Sequence, residues 1–201
     1  MTKLQYYNYR VCYAICENNV PAGLVYALDQ YGQHLLAVSK KTRVLTGTKS
    51  VPVAGTGDKR QITAVPVVTL AGDFVGLQAI WQGTTSRCLP KKVDKHSALH
   101  HTCSQTHWST LPTMKELVDI IMIPDMNAKI SAMGLNAIQA SKQKAILLLD
   151  VWKVHLTHEY KEFLAAKNII PIYLDPGMTS KEQSTPLPSC VSVSVTDMRS
   201  L

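Results

Sequence analysis

The apolar positions of the chain fall into short runs bounded by turn residues, and the clearest run is Lys144–Trp152. Ala145 to Leu149 are apolar without a break, and the run ends on Asp150. A stretch that short, with no helical spacing, reads as a strand buried on both faces. Leu24–Gln30 repeats the design, an apolar run followed by Asp29. Gln61–Leu70 and Phe74–Trp81 are two β-rich runs joined by Ala71-Gly72-Asp73, a hairpin signal. Pro66 inside the first of them calls for an edge position or a bulge, because proline has no N–H for the ladder. Ile169–Leu174 reads as a further strand, and Arg43–Thr46 could be a short one.

Other segments carry helical spacing. Tyr6–Asn18 places Tyr6, Tyr9, Tyr13 and Cys16 on one helical face, with Val11 and Ile15 nearby, and predicts a helix over 6–18 that stops before Pro21. Leu111–Asn127 reads as a helix with Thr113 as N-cap and Glu116 three residues on. Pro124 should bend or end it. Ile130–Lys142 is a second helical piece weakened by Gly134, and Thr157–Lys167 a third. Gln82–Thr110 reads as a long polar loop, and Gly47–Arg60 as another loop. From Asp175 the chain is rich in Ser, Thr and Pro and has no period. The expected organisation is one domain over 1–180 and an irregular tail over 181–201. Strand, hairpin, helices, strand, helix, strand makes an α/β domain with a mixed sheet, its last two strands joined by a right-handed crossover.

Composition narrows the function classes. The chain has 201 residues, 46% of them hydrophobic, enough for one domain with a real core. A net charge of +7 favours an acidic partner, nucleic acid first; a solvated basic surface is the plain alternative. Five widely spaced cysteines form no disulfide framework and suit a reducing compartment. The first residues are polar, without a signal core, and no window reaches 18 apolar residues, so cytosol or nucleus is expected and no membrane span.

The candidate chemistry starts with the two strand-end acids. Open α/β sheets place ligands at the carboxyl ends of their strands. Asp29 and Asp150 there would make a pair of hard oxygen ligands for a divalent cation. Each could equally be a turn residue. Cys88, His96, His100, His101, Cys103 and His107 crowd one loop. His96 with His100 and Cys103 with His107 have spacings that zinc accepts, but ordinary polar-loop histidines explain them too. His155 and His158 could help position a phosphate or simply face solvent. Trp81, Trp108 and Trp152 could stack nucleobases, or anchor core and loops.

Four phrases in order carry a family resemblance. They are residues 17–30 (ENNVPAGLVYALDQ), the hairpin region 57–91, residues 106–126 (THWSTLPTMKELVDIIMIPDM) and residues 144–180 (KAILLLDVWKVHLTHEYKEFLAAKNIIPIYLDPGMTS). Together they resemble the DDE-type transposase domain of the pogo/Tigger group, which shares the RNase H-like fold. The resemblance implies an RNase H-like mixed β-sheet flanked by helices. It also implies a nuclear DNA endonuclease or strand transferase, and three carboxylates holding two Mg²⁺ or Mn²⁺ ions for in-line phosphoryl transfer. Asp29 would be the first carboxylate and Asp150 the second, both as metal ligands. The third is where the chain departs: after Met178-Thr179 and Gln183, Pro186 occupies the place of the third acid. Glu182 is the nearest fallback, and Asp197 is out of register. Pro has no metal-binding side chain, so a catalytically degenerate domain with residual nucleic-acid binding is expected. The DNA-binding helix-turn-helix region such transposases carry ahead of this domain is not among these residues, and the resemblance implies a chain truncated at both ends.

Overall fold

The computed structural model describes residues 2–35, 46–47, 60–91 and 98–174. The tail over 181–201, with Glu182, Pro186 and Asp197, lies outside the described residues, as does His96, and so does Arg43–Thr46 except for Thr46. Seven strands form one sheet: β1 (Val25–Leu28), β2 (Tyr31–His34), β3 (Gln61–Thr69), β4 (Phe74–Gln82), β5 (Leu99–Ser104), β6 (Ala145–Leu149) and β7 (Ile169–Tyr173). The helices are α1 (Lys3–Asn18), α2 (Leu111–Leu117), α3 (Ile123–Ala132), α4 (Ala137–Lys142) and α5 (His158–Ala165).

The spatial order is β5-β4-β3-β1-β6-β7, with β2 paired to β3. β3 runs antiparallel to both β1 and β4, while β6 and β7 run parallel to β1. β6 is the best buried strand: Ala145, Ile146 and Leu147 are inaccessible to solvent. With β1 and β7 satisfying its backbone on both sides, an unbroken apolar run costs nothing at either face. The crossover from β6 to β7 runs through α5, whose N-cap Thr157 accepts a hydrogen bond from the Tyr160 N–H.

The hairpin forms as the pattern predicts, with Gly72 at φ 94° in its turn. Pro66 is interior, not at an edge, and a register shift at Val67/Val68 adjoins it. Its missing N–H is accommodated in a specific way. The pairings Leu28↔Val67 and Tyr31↔Ala64 belong to one continuous register, so Pro66 and Val65 stand opposite Asp29 and Gln30. There β1 and β2 are interrupted, and a proline is harmless where its neighbour is unpaired.

Three expectations are corrected. The run Gln82–Thr110 is not all loop, because β5 lies within it and pairs with β4 from Leu77↔Leu99 to Gln82↔Ser104. Its sequence, Leu-His-His-Thr-Cys-Ser, has no apolar alternation; a parallel partner supplies its order. The cap of α2 is Thr110, not Thr113: Thr110 and Thr113 form a reciprocal capping box. Pro124, expected to bend or end the helix, does not end the helical run. Val118–Met122 widens into a π-turn, in which the Ile123 N–H reaches back to the Val118 carbonyl. That extra turn relieves the clash a proline makes with the carbonyl four residues before it. The run ends instead past Ala132, where Gly134 takes φ 65°.

α1 begins earlier than Tyr6 because Thr2 and Gln5 cap it. Val11 is its buried residue, with Tyr7, Ala14 and Ile15 against the core, whereas Tyr6, Tyr9 and Tyr13 are exposed. A polar clamp joins β1, α3 and the hairpin. The Tyr26 hydroxyl donates to Asp125 Oδ2 at 2.8 Å, and Lys129 Nζ bridges Asp125 at 2.9 Å and Asp73 at 3.1 Å. Burial, more than its acidic neighbours, pushes the Tyr26 phenol well up.

A two-carboxylate rim at the carboxyl ends of β1 and β6

The parallel register Ala27↔Leu148 carries on to place Asp29 beside Asp150, each immediately past the end of its strand. Adjacent strands run about 4.8 Å apart, so the two carboxylates share one rim. They are near enough to sense each other. Asp29 is held above its ordinary value of 3.8, first by burial and further by the Asp150 charge, while a hydrogen bond from the Gln30 N–H works the other way. That bond to Asp29 Oδ1 is 2.8 Å long. Beside it, the Gln30 side-chain oxygen is buried without a partner among the described residues.

Asp150 is fixed by a residue whose part the sequence does not disclose. His155 Nδ1 lies 2.9 Å from Asp150 Oδ1 and 3.2 Å from the Asp150 carbonyl oxygen. His155 is not solvent-facing: it is 1% exposed, edge-on to Trp152 and stacked on Tyr160. The Tyr173 hydroxyl donates to its carbonyl at 2.9 Å. Only His158 of the expected pair is at the surface, where it faces Glu162. The spacing of an acid at a strand end and a histidine one tight turn later was the available signal.

The rim fits a hard divalent cation in donor chemistry: two carboxylates, one held by a buried imidazole, and a like-charge contact that a cation would relieve. Among the described residues no three His, Cys, Asp or Glu side chains converge as a metal cluster.

The Cys/His segment disperses. His100 Nε2 faces Glu116 Oε1 at 3.1 Å, the Trp81 indole N–H donates to His101 Nδ1 at 3.1 Å, and His107 Nδ1 lies 3.2 Å from Thr63 Oγ1. Burial and then the His100 charge hold His101 below its ordinary value. Among the described residues of this group, Cys88 and Cys103 come together, at the Thr85 carbonyl. Of the tryptophans, Trp152 packs against the core, but Trp108 is exposed, with the His107 ring beside it.

The strand order and directions, with helices flanking the sheet, define an α/β fold with a mixed sheet, as the resemblance implies. No family model and no curated protein matches the chain. Among solved structures it resembles the Mos1 mariner paired-end complex with Mn, at 10% identity and a TM-score of 0.48, over 85% of this chain and 41% of that one. The Mos1 transposase paired-end complex with the left transposon end gives 10% and 0.47, over 85% and 40%. A pre-cleavage Mos1 transpososome gives 10% and 0.47, over 86% and 43%. The chain thus spans about two fifths of the length of these structures. No helix among the described residues is long and apolar enough to cross a membrane.

Proposed function

We propose that this chain is a transposon-derived DDE-type endonuclease domain of the pogo/Tigger group that has lost DNA cleavage and keeps nucleic-acid binding in the nucleus. The observation that carries the reading is the meeting of Asp29 and Asp150 at one rim, through the register Ala27↔Leu148. Two acids far apart in the chain are delivered by neighbouring parallel strands, the arrangement a metal-dependent phosphoryl-transfer site needs. The four sequence phrases support the pogo/Tigger assignment.

Asp29 and Asp150 would hold a single Mg²⁺ or Mn²⁺, which when bound supplies charge neutralisation at a phosphate. His155 orients the Asp150 carboxylate from behind. With Pro186 in the register of the third acid, one full negative charge is missing, and two dications are not held together. A lone cation offers no symmetric clamp on attacking and leaving oxygens. The net charge of +7 favours DNA as the remaining partner.

A nicking assay on supercoiled plasmid with Mg²⁺ or Mn²⁺ tests this. Neither the wild type nor Asp150→Asn is expected to relax the plasmid. Metal-dependent nicking that Asp150→Asn abolishes would overturn the reading in favour of an active endonuclease that recruits Glu182.

A further inference from the structure

A second pair of reactive groups sits away from the carboxylate rim. A 3₁₀ turn, Ser86–Cys88, folds back after β4 and brings Cys88 to the end of β5, where Cys103 stands beside Trp81 in the parallel ladder. Both sulfurs face one acceptor: Cys88 Sγ is 2.9 Å and Cys103 Sγ 3.7 Å from the Thr85 carbonyl oxygen. Two further contacts hold the fold-back. The Gly83 N–H donates to the Ser104 carbonyl at 2.9 Å, and the Cys88 N–H to the Thr85 carbonyl at 3.1 Å. Gly83 has φ 149°, and a Cβ there would lie 2.6 Å from the Cys88 Cβ and 2.7 Å from its Sγ. The turn packs closely enough that only glycine fits beside the thiol. Both cysteines are free and half-buried.

We propose that Cys88 and Cys103 form a dithiol site that closes reversibly to a disulfide by exchange with a low-molecular-weight disulfide of the glutathione class. The Cys88 thiolate attacks one sulfur of the oxidant and releases one thiol. The Cys103 thiolate then attacks the Cys88 sulfur and releases the second. One protein S–S bond forms, the oxidant's S–S bond breaks, and the two protons lost by the protein thiols end on the two released thiols. Burial first, then the hydrogen bond and charge of Cys88, hold the Cys103 thiol up; the same balanced exchange results whichever thiolate attacks first. Shared approach to one carbonyl keeps the second sulfur within reach of the mixed disulfide. The closed bond would staple the turn after β4 to the edge strand β5. The site is independent of the carboxylate rim and of any cleavage activity.

The test uses the full folded chain, oxidised glutathione as probe, acid quench, thiol alkylation and a tryptic map. The expected product joins the peptide that starts at Cys88 to the peptide that carries Cys103, with the loss of two hydrogens, while Cys12 and Cys16 stay alkylated. The crosslink should disappear with dithiothreitol, and in urea the Cys88–Cys103 preference should vanish, since only the fold pairs them. In Cys103→Ser, Cys88 should instead accumulate a stable glutathione adduct. Stable glutathione adducts on both cysteines of the wild type, or a Cys12–Cys16 crosslink in place of this one, would overturn the proposal. So would full alkylation of both thiols after oxidant treatment.

Discussion

His155 Nδ1 stands 2.9 Å from Asp150 Oδ1, with the imidazole buried and the carboxylate half-exposed. The histidine therefore acts as a bracket: its ring is held by Trp152 and Tyr160, and it passes that rigidity to the Asp150 oxygens it touches. A carboxylate held in this way loses less rotamer freedom when it meets a cation.

His155→Phe keeps the aromatic contacts and removes the nitrogen. We expect it to fold, to lose about 1–2 kcal/mol of stability, and to bind Mn²⁺ about tenfold more weakly. His155→Asn, which can return an N–H near the same place, should recover part of the affinity. Mn²⁺ titration followed by electron paramagnetic resonance, beside thermal melts, separates the two effects. Equal affinity in His155→Phe and wild type would remove the bracket role.

Asp29 carries a pH signature of known sign. Its folded value lies above the ordinary 3.8, through burial and the Asp150 charge. A raised carboxyl contributes stability that is fully present below the unfolded value and lost as pH rises through the folded one. Between those values the melting temperature should fall with rising pH, and Asp29→Asn should flatten that part of the profile. At neutral pH the same variant should be more stable than wild type by on the order of 0.5–1 kcal/mol, after solvent screening is allowed for. Parallel melting curves across acid pH decide it; an unchanged profile would mean that the Asp29 carboxyl is not raised in the folded chain.

The α2 cap gives a prediction that separates the observed start from the one the sequence suggests. Thr110→Ala removes the side chain that accepts the Thr113 N–H. The expected cost is about 1 kcal/mol, or a melting temperature lower by roughly 3 °C. Glu116→Ala should not mimic loss of that cap, because Glu116 instead accepts from the Thr102 hydroxyl at 2.6 Å. A Glu116 variant that lengthens or frays the start of α2 by circular dichroism, with Thr110→Ala silent, would contradict the capping geometry.

DNA binding by a basic surface must be salt-dependent, since each phosphate contact releases a counterion. Affinity for a generic duplex should fall by about tenfold or more between roughly 50 and 200 mM salt, with little preference for sequence. Fluorescence anisotropy over a salt series measures the slope. A slope of zero would leave the positive charge as ordinary surface.

Much of the frame was legible in the chain itself. The apolar runs ending on Asp29 and Asp150, the Ala71-Gly72-Asp73 hairpin and the Thr157 helix start each carry their signal within a few residues. A buried strand must be apolar and a tight turn must tolerate positive φ, whatever lies around them. The two acids could also be named as candidates from position alone. What could not be read was whether they meet. That depends on β1 and β6 being neighbours in one register, a pairing across more than a hundred residues of chain.

The same reason explains the misreadings. β5 has no strand pattern of its own, and only the β4 ladder makes Leu99–Ser104 extended. His155 looks like any polar loop histidine until Tyr160 and Trp152 close over it. Cys88 and Cys103 stand out in sequence only as members of a Cys/His-rich stretch, and become a pair because a fold-back at Gly83 sets them on one carbonyl. Local pattern thus determined the strands, the turns and which residues carry usable chemistry. Tertiary structure alone decided which of those residues share a site, because proximity between distant segments comes from sheet order and packing, and no short window of sequence contains that information.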